Sequence, residues 1–128
     1  MKKQEATTVL VIEDDVDIRE FVCRVLELDG YGVLRADDAA SGLKVAGEAG
    51  VSLIVLDLRL PKRDGWHFLE KRENDPVLST IPTIVFTASA GVAQREKAMR
   101  MGVTEYLVKP LSAERLRASI RRIVQSRR

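Results

Sequence analysis

Five short apolar runs alternate with longer segments along this chain, and this alternation limits the possible folds more than any other feature. The runs are rich in β-branched residues and occupy residues 8–12, 33–36, 51–56, 83–86 and 105–108. Continuous apolar runs of this length are typical of strands buried on both faces. Antiparallel strands can be joined by a short turn, whereas the segments here are long enough for helical crossovers. The sequence therefore predicts parallel strands.

The first and last of the helix-length segments have clear amphipathic patterns. The first carries apolar residues at three- and four-residue spacing, and these are Ile18, Phe21, Val22, Val25 and Leu26. Asp15 is placed to cap the start of this helix and Gly30 to end it. In the last segment, Ser112 stands at the N-cap position before a stripe of apolar residues, which are Leu116, Ile120, Ile123 and Val124.

This pattern predicts an α/β fold of the (βα)5 type, with a doubly wound five-stranded parallel sheet. Right-handed crossovers place helices on both faces of the sheet, and the flavodoxin-like strand order 2-1-3-4-5 is expected. A chain of 128 residues suits one such domain. We expect the domain to span residues 8–125, with an N-terminal extension at 1–7 and a basic C-terminal end at 126–128.

Cysteine content and hydropathy exclude several other classes of protein. The single cysteine, Cys23, cannot form an internal disulfide or a multi-cysteine metal site, and we expect it to be a small buried side chain. No apolar run approaches the roughly 20 residues of a membrane span, and the first residues lead into no signal-type apolar segment. These features favour a cytoplasmic location.

Charge is distributed unevenly along the chain. Residues 1–108 carry 14 basic and 18 acidic side chains, whereas the last twenty residues carry seven basic and one acidic. A basic chain end can attract nucleic acid, but an arginine-rich terminal helix is more often a solvated face. The sequence offers no recognition helix pair at this end, so we expect no specific binding of nucleic acid by this domain.

Polar residues stand where four of the five predicted strands end. They are Glu13, Asp14 and Asp15 at the first strand, Asp57 at the third, Thr87 at the fourth and Lys109 at the fifth. The carboxyl ends of parallel strands meet at one edge of the sheet, near the point where ligands bind. Crowded carboxylates must protonate, spread apart or bind a cation. Oxygen ligands favour Mg²⁺, for which Mn²⁺ can substitute.

Asp57 is the candidate nucleophile at this edge. An acid directly after a buried apolar strand loses hydration and needs partners. A carboxylate can attack phosphorus to form an aspartyl phosphate. The charge of Lys109, the hydroxyl of Thr87 and a metal would together neutralise a phosphoryl group. The sequence therefore predicts phosphoryl chemistry on Asp57.

Four segments of the chain carry a family resemblance that covers Thr8 to about Gln125. They are VLVIEDD at residues 9–15, LDLRLPKRDG at 56–65, FTAS at 86–89 and YLVKP at 106–110. With these segments the chain resembles the receiver domains of two-component response regulators. The resemblance implies the receiver fold, a role in phosphorelay signalling and a cis peptide bond before Pro110, a residue that tolerates one.

The resemblance also implies roles for the residues of the acidic edge. Asp57 matches the phosphoacceptor, and Asp14 matches the direct magnesium ligand. Glu13 matches the acid that holds a metal-bound water, although aspartate is more frequent there. Arg59 would give its backbone carbonyl to the metal, and Lys109 matches the phosphate-binding lysine.

Further positions match those that, in the family, transmit the effect of phosphorylation or set how long the phosphoryl group remains. Thr87 matches the switch hydroxyl, and Tyr106 matches the aromatic residue that changes rotamer. Arg59 and Ser89 match positions that tune how fast water removes the phosphoryl group. Taken alone, Thr87 fits an ordinary strand residue better than a switch residue, and Tyr106 fits a static core aromatic as well as a mobile one. The weight of both assignments therefore comes from the resemblance.

The function that we expect is a phosphorylation-dependent switch rather than an enzyme with a diffusible product. Asp57 would take a phosphoryl group from a sensor histidine kinase or a histidine phosphotransfer protein. The domain would catalyse only this reaction and slow autodephosphorylation. A downstream protein would bind the face formed by the fourth helix, the fifth strand and the fifth helix.

Two other classes of protein remain as alternatives. A dehalogenase-type phosphatase also uses an aspartyl nucleophile with Mg²⁺, but it has an acid two residues later, where this chain has Arg59. A flavodoxin-like binding module needs a phosphate loop after the first strand, where the three acids of residues 13–15 would repel phosphate. Because no linker begins near residue 128, we favour a stand-alone regulator over a receiver excised from a longer regulator or hybrid kinase.

Overall fold

A computed structural model describes residues 7–48, 50–60 and 64–126. Within these residues five strands alternate with five helices, and a short 3-10 turn at Leu78–Thr80 precedes the fourth strand. The strands are β1 (Thr8–Ile12), β2 (Gly32–Ala36), β3 (Leu53–Asp57), β4 (Thr83–Thr87) and β5 (Glu105–Val108). The helices are α1 (Val16–Leu28), α2 (Ala39–Glu48), α3 (Asp64–Glu73), α4 (Val92–Arg100) and α5 (Ala113–Ser126).

The strands form one sheet in the order β2-β1-β3-β4-β5, and every pairing is parallel. The predicted fold class and strand order are therefore confirmed. The register places Asp57 opposite Phe86 and Thr87 opposite Val108. Both pairs lie at the carboxyl ends of their strands, so the sheet brings the predicted site residues to one edge.

Each face of the sheet has its own hydrophobic core. Leu10 and Ile12 of β1 point to one core with Phe68 of α3, whereas Val9 and Val11 point to the other. The second core contains residues of α1 and α5, among them Val22, Cys23, Leu116 and Ile120. Because successive strand side chains enter opposite cores, the strands read as continuous apolar runs. The expected burial of Cys23 is confirmed.

The predicted helix ends are confirmed in three places. Asp15 accepts a hydrogen bond from the Ile18 amide at 3.0 Å, and Ser112 accepts one from the Arg115 amide at 3.1 Å. Gly30 follows α1 with a φ of 90°, a backbone conformation that residues with a Cβ atom rarely adopt. These residues fix where the chain leaves and re-enters the helical layers.

Some strand boundaries and the burial of one helix residue differ from the sequence prediction. The third strand begins at Leu53 rather than at residue 51, and it includes Asp57 as its last residue. Val51 is buried without belonging to the ladder, which explains its apolar character. Phe21 is 43% exposed although its spacing placed it on the apolar face of α1, because it lies at the margin of that stripe.

Gly65 allows α3 to start directly against the chain that follows β3. A Cβ atom at Gly65 would lie 2.6 Å from the backbone of Leu58, which no side chain could tolerate. Trp66 beside it packs against the core, and the Lys97 ammonium lies 4.4 Å from its ring centroid. No helix in the described part of the chain is long and apolar enough to cross a membrane.

Candidate functional site

The carboxyl edge of the sheet brings together three charged side chains from three strands. Asp57 ends β3, Glu13 directly follows β1, and Lys109 directly follows β5. The Lys109 ammonium lies 2.9 Å from Asp57 Oδ2 and 3.4 Å from Glu13 Oε1. The structure therefore brings Lys109 into contact with Glu13, which lies 96 positions earlier in the sequence, and with Asp57, which lies 52 positions earlier.

Asp57 is held in place through both carboxylate oxygens. Oδ1 accepts a hydrogen bond from the Arg59 amide at 2.9 Å, and Oδ2 accepts one from Lys109 Nζ. Only 2% of the residue is exposed. A buried carboxylate is tolerated when it is paired and hydrogen-bonded in this way. Its orientation is thus set by the strand, the following turn and the lysine together.

Glu13 is fully buried beside Asp57. Its Oε2 atom accepts a hydrogen bond from the Asp15 amide at 3.0 Å. Burial raises the pKa of Glu13 to about 8, and a hydrogen bond with Asp57 and repulsion from its charge act in the same direction. The Asp15 amide and the Lys109 charge oppose this rise in pKa. Without a cation, the cluster therefore favours the protonated form of Glu13.

The side chains of Glu13, Asp14 and Asp57 can each place one oxygen within 4.8 Å of the others. Asp14 is exposed, so the cluster is open to solvent on one side. Three carboxylates and no nitrogen or sulfur ligand form a set that suits a hard divalent cation. The residues present fit a magnesium ion with water in the remaining positions. The predicted grouping of these acids is confirmed in the structure.

Lys109 connects the acidic cluster to β4. Its amide donates a hydrogen bond to the Thr87 carbonyl at 2.8 Å, and its ammonium lies 5.1 Å from the centroid of the Phe86 ring. The peptide bond between Lys109 and Pro110 is cis, as the family resemblance implied. Lys109 is consequently fixed by main-chain and side-chain contacts.

A chain of hydrogen bonds leads from Thr87 to Tyr106. The Thr87 hydroxyl, which is buried, accepts a hydrogen bond from the Ser89 amide at 3.3 Å. The Tyr106 hydroxyl donates one to the Ser89 carbonyl at 2.9 Å. Tyr106 is 7% exposed in this arrangement, and burial raises its pKa. Ser89 therefore links the end of β4 to the aromatic residue of β5.

The remaining predicted site residue, Arg59, lies at the rim of the site. Its amide contacts Asp57, and its side chain is exposed. Residues 61–63 of the resembling segment lie outside the described residues, as do residues 1–6 of the predicted extension and 127–128 of the predicted basic end.

Sequence reasoning missed a buried cation at the opposite edge of the sheet. Arg72 of α3 is 3% exposed, and its guanidinium donates a hydrogen bond to the Ile81 carbonyl at 2.8 Å. Burial lowers its pKa. The spacing of Arg72 on its helix could have indicated this burial. Arg72 lies three residues after Leu69 and four residues after Phe68, both of which are buried, so it shares their helix face. A charged residue at such a position indicates a buried role.

Comparison with known proteins shows which family this arrangement resembles. The family model described as "Response regulator receiver domain" matches residues 9–121. The phosphate regulon transcriptional regulatory protein PhoB of Escherichia coli is 32% identical over 120 residues, which cover 94% of this chain and 52% of PhoB. The DNA-binding dual master transcriptional regulator RpaA of Synechocystis is 32% identical, with 91% of this chain and 48% of RpaA covered. The chain spans about half the length of these curated relatives.

Solved structures show the same similarity in three dimensions. The chemotaxis response regulator CheY4 of Vibrio cholerae has a TM-score of 0.85 and 26% identity, and the match covers 91% of this chain and 98% of that chain. A CheY-like receiver domain protein from Methanospirillum hungatei also has a TM-score of 0.85 and 26% identity, with 94% of each chain covered.

Proposed function

The chain belongs to the response regulator receiver domain family of two-component systems, and on that premise we propose that Asp57 accepts a phosphoryl group from a phosphohistidine of a partner protein. The observation that carries this proposal is the geometry of Asp57, a buried carboxylate fixed by the Arg59 amide and by Lys109 beside two further acids. The partner is a sensor histidine kinase or a histidine phosphotransfer protein.

The transfer exchanges one phosphorus bond for another. An Asp57 oxygen attacks phosphorus and forms an O–P bond as the P–N bond of the phosphohistidine breaks. The imidazole, protonated on its other nitrogen, leaves as a neutral ring with the bonding electron pair. Because Asp57 is already oriented by two hydrogen bonds, little reorganisation is needed at the moment of attack.

Asp14, Asp57 and the Arg59 carbonyl would hold the magnesium ion, and Glu13 would hold a water bound to it. The ion supplies positive charge that offsets the phosphoryl oxygens and the acidic cluster. Glu13 is fully buried and accepts a hydrogen bond from the Asp15 amide. Its role toward the water of the ion comes from the family pattern that its position matches.

Lys109 and Thr87 recognise the phosphoryl group after transfer. The Lys109 ammonium, now bonded to Asp57 Oδ2, can contact a phosphoryl oxygen from the same position. The Thr87 hydroxyl accepts one hydrogen bond, so its proton is available to a phosphoryl oxygen. Water later hydrolyses the acyl phosphate, and the Arg59 and Ser89 side chains set the approach of that water.

A groove beside the site suits the docking of the phosphohistidine partner. A cavity of about 550 Å³ lies between α1 and the chain after β5, with Phe21, Phe86, Pro110 and Leu111 among its lining residues. Lys109 is part of the same lining, so a partner seated there reaches the acceptor edge. The exposure of Phe21 is consistent with such a contact.

The phosphoryl group would act on the face formed by α4, β5 and α5. Contact of its oxygens with Thr87 draws the end of β4 inward and alters the Ser89 segment that Tyr106 contacts. The rotamer of Tyr106 and the position of α4 would then change, and a downstream protein binds the altered face. The group shifts an existing equilibrium only by its different contacts with the two states.

Three further expectations belong to the same proposal. The receiver domain spans residues 8–125, and the protein acts in the cytoplasm. The domain itself does not recognise a DNA sequence. PhoB is described as a transcriptional regulatory protein and RpaA as a DNA-binding transcriptional regulator, and this chain matches about half of the length of each.

Intact-mass measurement tests the phosphoacceptor. We expect incubation with acetyl phosphate and Mg²⁺ to add one phosphoryl group to the native chain and none to Asp57→Asn. The added mass should be removed by hydroxylamine, which cleaves acyl phosphates. The same hydroxylamine-sensitive mass on Asp57→Asn would show that another residue is the nucleophile.

Calorimetric titration with Mg²⁺ tests the metal site. We expect Asp14→Ala to lose both Mg²⁺ binding and phosphoryl uptake while it remains folded, because the exposed Asp14 has no partner among the described residues that folding requires. The matched control is Asp17→Ala, which changes another exposed acid near the start of α1. Undiminished Mg²⁺ affinity in Asp14→Ala would contradict the site.

A further inference from the structure

Arg19 of α1 contacts the main chain of the acidic edge rather than its carboxylates. Its Nη1 atom donates a hydrogen bond to the Glu13 carbonyl at 3.0 Å. The contact runs from the helix back to the residue that directly follows β1. The Arg19 side chain is 17% exposed, so the hydrogen bond is largely shielded from water. The guanidinium therefore reaches the edge at which we expect magnesium to bind.

Asp14 depends on the main chain for its orientation. It is exposed, and no hydrogen bond or ion pair holds its side chain in the described part of the chain. The Glu13 carbonyl belongs to the peptide unit before Asp14, and the Asp15 amide belongs to the peptide unit after it. Arg19 holds the first unit, and Glu13 Oε2 holds the second through the Asp15 amide at 3.0 Å. Because peptide units are planar, fixing both of them fixes the direction in which the Asp14 side chain leaves the backbone.

Glu20 helps to hold the Arg19 guanidinium. Glu20 Oε2 lies 3.6 Å from Arg19 Nε, and the Glu20 carboxylate also accepts hydrogen bonds from Arg35 of β2 at 2.9 and 3.0 Å. Arg19 Nε is buried and has no hydrogen-bond partner among the residues that the structure describes. The hydrogen bond to the Glu13 carbonyl is therefore the short, directed contact that this guanidinium makes with the site.

Arg19 differs from Lys109 in the kind of atom that it contacts. Lys109 lies 2.9 Å from Asp57 Oδ2 and 3.4 Å from Glu13 Oε1, so its charge competes with a cation that binds these carboxylates. Arg19 instead contacts a main-chain oxygen that is not among the proposed magnesium ligands. Its charge is also offset by Glu20. The effect of Arg19 on the orientation of Asp14 should therefore outweigh the repulsion between its charge and the ion.

We propose that Arg19 is a positioning residue of the metal site, which holds the peptide unit between Glu13 and Asp14 and so keeps the Asp14 carboxylate beside Asp57. This inference rests on the proposed function, in which Asp14 holds Mg²⁺. It adds a residue that lies outside the strand ends and does not touch the ion. Groups that orient a metal ligand from outside the ligand set commonly change metal affinity when they are removed.

Calorimetric titration of the whole chain with Mg²⁺ separates positioning from charge, because the two effects have opposite signs. Arg19→Met removes both the hydrogen-bond donors and the charge but keeps an unbranched apolar stem. Loss of the charge alone would tighten Mg²⁺ binding, whereas loss of positioning weakens it. We expect Arg19→Met to weaken Mg²⁺ binding about three- to tenfold. The matched control is Arg24→Met, which changes an exposed arginine of α1 and should bind Mg²⁺ like the native chain.

Two further substitutions at the same position test the hydrogen bond itself. Arg19→Lys keeps the charge and a donor on a flexible stem, so it should recover most of the affinity that Arg19→Met loses. Arg19→Gln is polar but too short to reach the Glu13 carbonyl, so it should weaken binding as Arg19→Met does. It also replaces Arg19→Met in the comparison if that variant does not fold.

Amide spectra recorded without Mg²⁺ provide a readout that does not depend on the metal. A hydrogen bond to a carbonyl polarises the whole peptide unit, so the nitrogen chemical shift of the Asp14 amide reports on the contact between Arg19 and Glu13. We expect Arg19→Met to move the Asp14 resonance and Arg24→Met to leave it in place.

Three outcomes would overturn the positioning role. They are unchanged or tighter Mg²⁺ binding by Arg19→Met and Arg19→Gln, equal weakening by Arg24→Met, and no recovery by Arg19→Lys. Each of these presupposes that the native chain binds Mg²⁺. A native chain that does not bind Mg²⁺ would instead refute the proposed metal site, and this inference with it.

Discussion

Lys109 and Arg72 are cations at opposite edges of the same sheet, the first half-buried and the second buried, and their charges are compensated in different ways. Lys109 has side-chain exposure of 19% and contacts the carboxylates of Asp57 and Glu13. Arg72 is 3% exposed and contacts main-chain carbonyls, with the nearest at Ile81 and longer contacts of 3.4 Å to Ser79, Met101 and Gly102. No carboxylate pairs with Arg72 in the described part of the chain.

This difference separates a reactive edge from a structural one. Carboxylates can bind a metal, change protonation or accept a phosphoryl group, so the charge around Lys109 can change. Main-chain carbonyls neither titrate nor accept a phosphoryl group, so the contacts of Arg72 only join α3 to the segments that lead into β4 and β5. Substitutions at the two positions should therefore alter different properties.

The largest effect that we expect from a single substitution is on stability, from Arg72→Ala. The substitution removes the donors of up to four carbonyls and leaves a cavity, and both changes should lower the free energy of unfolding by about 3 kcal/mol in total. Urea denaturation measures this loss. The control Arg72→Met fills the volume without restoring the hydrogen bonds and should lose about half as much. Phosphoryl uptake by the folded variants should remain native, and its loss would show that the two edges are coupled.

A pH dependence should come from the acidic edge. The pKa of Glu13 is raised to about 8 in the folded chain from 4.5. When folding raises the pKa of an acid, the acid makes its full contribution to the stability of the folded chain at pH values below the unfolded pKa. That contribution is lost as the pH rises through the folded pKa. Without Mg²⁺, the free energy of unfolding should fall between about pH 5 and pH 8, with a slope of up to about 1.4 kcal/mol per pH unit.

Glu13→Gln identifies the source of that slope. Glutamine keeps the size of the side chain but does not titrate, so the fall in stability between pH 5 and pH 8 should flatten. Arg72→Met, at the opposite edge, should keep the native slope. An unchanged slope in Glu13→Gln would assign the pH dependence to another group.

A smaller effect should appear in metal affinity. Lys109 shares the charge of Asp57 and Glu13 with any bound cation, so Lys109→Met should raise Mg²⁺ affinity by about three- to tenfold. Calorimetric titration measures this change, and Arg72→Met should have native affinity. Weaker Mg²⁺ binding in Lys109→Met would show that the lysine orders the carboxylates more than it competes with the ion.

The sequence allowed the architecture and the acidic edge to be predicted because both depend on strong local signals. Continuous apolar runs marked the strands, and the acids and Lys109 stand directly at strand ends that a parallel sheet brings together. The contacts of Arg72 and of Glu105 with Arg122 were not predicted. They depend on how helices sit against loops distant in sequence, which no periodicity records.

The contacts and the exposure of individual side chains could not be predicted from the sequence either. The spacing identified Tyr106, but only packing shows that its hydroxyl contacts the Ser89 carbonyl. Phe21 followed the periodicity of α1 and is nevertheless 43% exposed, because periodicity gives a direction and not the position of the neighbouring elements.

Amide chemical shifts with and without beryllofluoride and Mg²⁺ test most directly whether the acidic edge controls the α4, β5 and α5 face. Beryllofluoride replaces the phosphoryl group on Asp57 without turnover. We expect shifts not only near Asp57 and Lys109 but also across residues 90–106 and 112–122, because Thr87, Ser89 and Tyr106 connect the two regions. Perturbations confined to residues 13–15, 57–60 and 109 would contradict this account.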